Sequence, residues 1–170
     1  MRGKKLRVGW LGLSCALILV LTLSLLCGCE SGGEESVQEE TGLRVLSVEE
    51  VEDMVLLHTT YGVMKYPYAF SDLIVYEISN EEASDQMKFS ARIEGVQYPA
   101  FVLSFGGSEG FVLGTMTVPG ENTPRTVYAE LYPADEAALG EQALSFYAAQ
   151  ESFNDVIQSL AENENFTPAE

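Results

Sequence analysis

The three cysteines of this 170-residue chain stand at positions 15, 27 and 29, so no part of the chain after Cys29 can be closed by a disulfide. Whatever folds downstream is held together by its apolar core, without the covalent staples that relieve small domains of that burden. Residues 43–165 offer about 120 positions, enough for one ordinary core and too few for two. A single α+β domain is the expectation.

The start of the chain has a different character. Arg2, Lys4, Lys5 and Arg7 precede an apolar, uncharged run over residues 8–26, and small residues precede Cys29. A basic start, an apolar middle and small residues before a cut form the pattern of a secretory signal. The run ends in Leu26-Cys27-Gly28-Cys29, which resembles the lipobox of bacterial membrane lipoproteins, with Leu26 at minus three and Gly28 at minus one. The resemblance implies that residues 1–28 are removed and that Cys29 becomes the lipidated N-terminus, carrying diacylglyceryl and acyl chains such as palmitate. It further implies a protein anchored on the extracytoplasmic face of the cell membrane. Cys27 is the rival attachment site, but Leu26 directly before it is bulky where the peptidase takes a small side chain. The other alternative is an uncleaved signal anchor, since the run is about as long as the ~20 apolar residues that cross a bilayer. Both readings place the rest of the chain outside the cytoplasm, because the positive charges hold the N-terminus inside. The resemblance stops at residue 29 and transfers nothing to the domain beyond.

Charge narrows the partners. The signal holds four of the nine basic residues and none of the 26 acidic ones, so its removal leaves a net charge of −21. Such a chain repels nucleic acid and anionic headgroups, and it attracts a cationic protein, a cationic peptide or calcium. Residues 29–42, the lipidated cysteine and the stretch ESGGEESVQEETG, show no apolar periodicity and read as a flexible acidic tether. Thirteen such residues span about 20 Å, enough to lift a domain past the headgroups.

Within the domain, Ser47 and Glu50 match a capping box, and Val48, Val51, Met54, Val55 and His58 share one helical face, which predicts an N-terminal helix over residues 48–60. The period then changes. Met87, Phe89, Ala91 and Ile93 alternate with polar residues, as do Val127, Ala129 and Leu131. With residues 73–78, 100–105 and 111–118 they make about five strands. The links between them, at residues 80–85, 95–99, 106–110 and 119–124, are short enough to predict an antiparallel meander with one covered face. Leu139, Phe146, Phe153 and Leu160 recur every seven residues behind Asp135 and predict a C-terminal amphipathic helix, with a possible break near Gln150. Residues 166–170 read as a disordered tail. A helix, a meander and a helix in two layers is similar in element order to the cystatin-like and NTF2-like rolls, and element order transfers no function.

Few residues can carry chemistry. His58 is the lone histidine and no cysteine pair survives, so neither a zinc site nor a Ser-His-Asp triad is expected, and no cofactor pattern is present. Residues 80–85 (NEEASD) are rich in oxygen but lack the spacing of a calcium loop. Residues 106–110 (GGSEG) have the glycines of a phosphate cradle without its lysine, and read as a hairpin turn. Paired carboxylates can act without histidine, which leaves Glu77, Glu94 and Glu130 as candidates for glycan hydrolysis. The alternation places Glu94 and Glu130 beside Lys88 and Arg92, where cross-strand ion pairing is the simpler expectation. Tyr-Pro occurs at residues 66–67, 98–99 and 132–133, placing proline at strand ends where it discourages aggregation. Tyr128 and Tyr132 fall on the polar face of the last strand, where aromatic rings can hold a sugar or a peptide. The sequence therefore points to a lipid-anchored binding domain without catalysis, with Cys29 as lipid attachment site, Tyr128 and Tyr132 as ligand-facing residues, and no metal or cofactor. Its competitors are a surface glycan hydrolase and an assembly component joined through the helix stripe at residues 139–160.

Overall fold

The computed structural model describes residues 42–170, which form an α+β domain of two antiparallel sheets and a C-terminal helix. The lipobox and its cysteine lie outside the described residues.

The first departure from expectation is at residues 48–60, which are not helical. Strand β1 (Val45–Val51) and strand β2 (Met54–Thr59) form a hairpin, and β3 (Val63–Pro67) completes a three-stranded sheet. The apolar residues fit two periods at once: Val48, Val51 and Val55 at helical spacing, Val55, Leu57 and Thr59 at alternate positions. Valine and threonine lose more rotamer freedom in a helix than in a strand, so the β-branched content decides once an apolar partner is available to bury one face. Glu52 at the hairpin tip takes a positive φ of 54°. One face of this sheet, made by Val55, Leu57, Met64 and Tyr66, is buried. His58 lies on the other face, half-buried, opposite Ser47 and Val63.

The second sheet has six strands rather than about five: β4 (Ile74–Asn80), β5 (Ser84–Ile93), β6 (Val96–Gly106), β7 (Phe111–Met116), β8 (Arg125–Leu131) and β9 (Phe166–Pro168). Their order, β4-β5-β6-β8-β7-β9, is not that of a simple meander. Residues 95–99 are strand apart from Gly95. The β5–β6 link is only Glu94-Gly95, with φ of 51° and 83°, the positive pair that a two-residue hairpin turn demands. Residues 107–110, expected as a hairpin, instead carry the chain from one side of β8 to the other. Gly110 has φ 97°, and a Cβ there would collide with the Ala129 carbonyl oxygen of the strand being crossed, so glycine is required on both counts. The expected disordered tail is also corrected. Phe166–Pro168 pairs with β7, Met116 opposite Phe166 and Gly114 opposite Pro168.

Asp135 caps the final element, its Oδ1 accepting from the Ala138 N–H at 3.1 Å. The break falls at Gly140 (φ 54°), between α1 (Glu136–Leu139) and α2 (Ala143–Ala161), and not at Gln150. Gln150 lies within α2 and donates to the carbonyls of Tyr132 and Ala100, at 2.8 and 3.1 Å. The heptad stripe behaves as a core stripe: Leu139, Phe146, Phe153 and Leu160 are all buried in the domain's own interior, which leaves no such seam for intermolecular assembly. Phe101 stacks on Phe89 at 4.5 Å between centroids and meets Phe153 of α2 at 4.8 Å, joining sheet to helix.

Helix α2 also runs beside β3 and closes its edge. Ser159 Oγ accepts from the Lys65 N–H at 2.8 Å. Asn163 accepts from the Val63 N–H at 2.7 Å through Oδ1 and donates to the Val63 carbonyl at 3.0 Å through Nδ2. The small sheet and α2 thus share one layer over the large sheet. The α+β expectation holds, while the helix-first order of the cystatin-like and NTF2-like rolls does not.

Candidate functional site

The outward side of the large sheet is set by register. Glu77 on β4 stands opposite Lys88, Lys88 opposite Val102, and Val102 opposite Glu130 on β8. A second row runs Ser79, Gln86, Ser104, Tyr128 and Val112. Tyr128 is therefore central on a polar face, half-exposed, with the exposed Val112 at its flank. Tyr132 follows just beyond β8, on the same alternation. Its N–H donates to the Ala100 carbonyl at 2.9 Å and its own carbonyl accepts from Gln150, so the backbone under the ring is held from two sides. Partial burial, then the charges of Glu130 and Glu109, push the Tyr132 hydroxyl above its ordinary pKa of 10.0. Two tyrosine rings edged by two carboxylates suit a ligand that offers donors or positive charge.

The carboxylate candidates do not assemble. Glu77 and Glu130 are three strand spacings apart, about 14 Å between backbones, with Lys88 and Val102 between them. Glycosidase pairs lie at about 5–9.5 Å. Glu94 sits at the tip of the β5–β6 turn. The expected ion pairs of Glu94 and Glu130 with Arg92 and Lys88 are absent among the described residues, because Glu94 leaves the ladder at the turn and Glu130 faces Val102 rather than a base.

A charged group that the sequence reading overlooked lies on the inward side. Asp85 is 3% exposed, and its Oδ2 accepts from the Tyr61 hydroxyl and from Arg125 Nη1, the latter at 2.8 Å. Arg125 in turn binds Glu121, through Nε at 2.8 Å and through Nη2. Burial, then the bond to Asp85, raise the Tyr61 hydroxyl far above 10.0, and the Glu121 bonds raise the Arg125 guanidinium. The signal was present in the alternation. Asp85 has the parity of Met87 and Phe89, and Arg125 that of Val127 and Ala129, so each is a charged residue at a core-facing position. Tyr61 comes from the β2–β3 turn, and the cluster ties the small sheet to the large one.

The same geometry answers the calcium question for residues 80–85. The Asp85 carboxylate faces inward, and the Asn80 side chain holds the backbone of Leu43, accepting at 3.2 Å and donating at 3.1 Å. No group of three or more metal-binding side chains occurs among the described residues. His58 Nε2 is 3.5 Å from a Glu49 carboxylate oxygen without a well-directed hydrogen bond, far from any nucleophile arrangement. Among the described residues no helix is long and apolar enough to cross a membrane. Comparison with family models, with curated proteins and with solved structures gives no match.

Proposed function

We propose that the chain is a lipoprotein anchored through Cys29 on the extracytoplasmic face of the cell membrane, whose acidic domain binds a cationic envelope or secreted protein and performs no chemistry of its own. The observation that carries the binding half is the placement of charge. Asp85 is the one charged side chain that is buried among the described residues, and both its neighbours are engaged with it. The other carboxylates among the described residues lie on or near the surface, where the five basic residues of that region cannot balance them. A surface of one sign attracts partners of the other sign and repels copies of itself. The Tyr128–Tyr132 face, edged by Glu109 and Glu130, supplies aromatic contact within that field. The hydrolase reading has less support, given the separation of Glu77, Glu94 and Glu130.

The anchor is tested by intact mass of protein recovered from bacterial membranes beside Cys29→Ala. Cleavage before Cys29 with an added diacylglyceryl group, lost in the variant, is the expected result; an uncleaved mass in both overturns it. The binding half is tested by crosslinking in the native envelope with photoreactive residues at positions 128 and 132. A salt-sensitive adduct with a basic protein is expected. Hydrolysis of an envelope glycan that one of Glu77→Gln, Glu94→Gln or Glu130→Gln abolishes would replace this reading with the enzyme.

A further inference from the structure

Strand β1 forms the edge of the small sheet, paired with β2 on one side and with nothing on the other among the described residues. The register fixes which groups are free. The two-residue link Glu52-Asp53 makes Val51 and Met54 a hydrogen-bonded pair, so Glu49 and Ser47 also bond across to β2. The N–H and C=O groups of Glu50 and Val48 then point away from the sheet. Every residue from Leu46 to Val51 is exposed, and the apolar ones are large: Leu46 at 65%, Val48 at 51% and Val51 at 46%. The other edge of the same sheet is treated differently, since β3 is closed by Ser159 and Asn163 of α2.

An unprotected edge strand is a template for one more strand, and its side chains decide which. Glu49, Glu50, Glu52 and Asp53 crowd β1 and its turn, with no basic residue among them. A second copy would bring the same acids and, without the signal, a net charge of −21 with it. An extended segment with basic and apolar residues in alternation meets the opposite situation. Its main chain completes the ladder at Val48 and Glu50; on one face its apolar side chains lie against Leu46 and Val48, and on the other its basic ones reach Glu49. We propose that β1 is a docking strand that captures an extended basic segment of a partner protein by β-strand addition. This rests on the binding reading above and locates it on the small sheet, whereas Tyr128 belongs to the large one.

The test uses the mature lipidated protein in nanodiscs and a synthetic peptide of alternating lysine and valine. The expected result is salt-sensitive binding, with slowed amide exchange at Val48 and Glu50. Val48→Pro removes an outward N–H that β2 does not use, and should weaken binding by about tenfold while leaving the fold intact by circular dichroism. Glu49→Lys with Glu50→Lys should weaken it by a similar factor. Binding that persists in Val48→Pro, with protection appearing around Tyr128 instead, overturns the edge assignment and leaves the cationic-partner reading standing. No binding of the peptide overturns the proposal, while crosslinks at positions 128 and 132 remain an independent readout of the broader function. A concentration-dependent dimer that Val48→Pro dissolves would assign the edge to a second copy and overturn the choice of a basic partner.

Discussion

Strands β6 and β1 both carry branched apolar residues and meet opposite fates. Residues 101–105 of β6 lie between β5 and β8 and are buried on both faces, so even Val102 and Ser104 on the outward side are covered. β1 has one neighbour and is exposed from Leu46 onward. A strand flanked twice has its hydrogen bonds and its side chains committed to stability. One flanked once keeps a row of backbone groups and valines available to something else. The difference lies in position within the sheet and in the glutamates that only β1 carries, and it separates what holds this domain together from what it can offer a partner.

The widest contrast is expected from Phe101→Ala. It empties the contact among Phe89, Phe101 and Phe153 and should cost about 3–5 kcal/mol in urea unfolding, against less than about 0.5 kcal/mol for Leu46→Lys on β1. Equal losses at the two sites would break the comparison. Next is Asp85→Asn, which leaves Tyr61 without its charged acceptor and Arg125 with Glu121 alone. A loss of about 2–3 kcal/mol is expected, below that of a fully buried pair because the guanidinium keeps some water.

Asn163→Ala sharpens the contrast between edges. It strips the cap from β3 and should lower stability by about 1–2 kcal/mol while raising the tendency to associate, read by sedimentation. The Tyr61 hydroxyl offers a pH signature. Its folded-state pKa lies above the ordinary 10.0, so the stability linked to the protonated hydroxyl is complete below pH 10 and is lost progressively as pH rises above it. Tyr61→Phe should cost about 1 kcal/mol at neutral pH and flatten the alkaline limb of the stability curve; an unchanged limb would mean that the buried bond is not formed. The smallest effect is a gain. Glu52→Gly relieves a positive φ at the β1–β2 tip and should stabilise by a few tenths of a kcal/mol, without altering the exposed edge.

Much of the large sheet could be read in advance because one of its faces is wet. Alternation in Met87, Phe89, Ala91 and Ile93 and in Val127, Ala129 and Leu131 survives wherever only one side is buried, and the seven-residue stripe of α2 survives for the same reason. The small sheet could not be read that way. Val48, Val51, Val55 and His58 satisfy a helical face as well as a strand, and a capping box at Ser47 and Glu50 favoured the wrong one. The Tyr61–Asp85–Arg125–Glu121 cluster was half legible, as charged residues on core parity, yet its members come from three separate segments.

Local chemistry alone determined that the domain has no disulfide, that it is strongly acidic, that Tyr128 lies on the outward alternation of its strand, and that its last helix lies against a core. These follow from residue type and short-range period, which do not depend on what packs where. Tertiary structure decided the rest. Residues 48–60 became a hairpin because a second layer was present to bury Val55 and Leu57. β8 entered between β6 and β7 because Gly110 lets the chain pass close to Ala129. β1 was left open and β3 closed because α2, 94 residues from Lys65 along the chain, lies on one side of the small sheet and not the other.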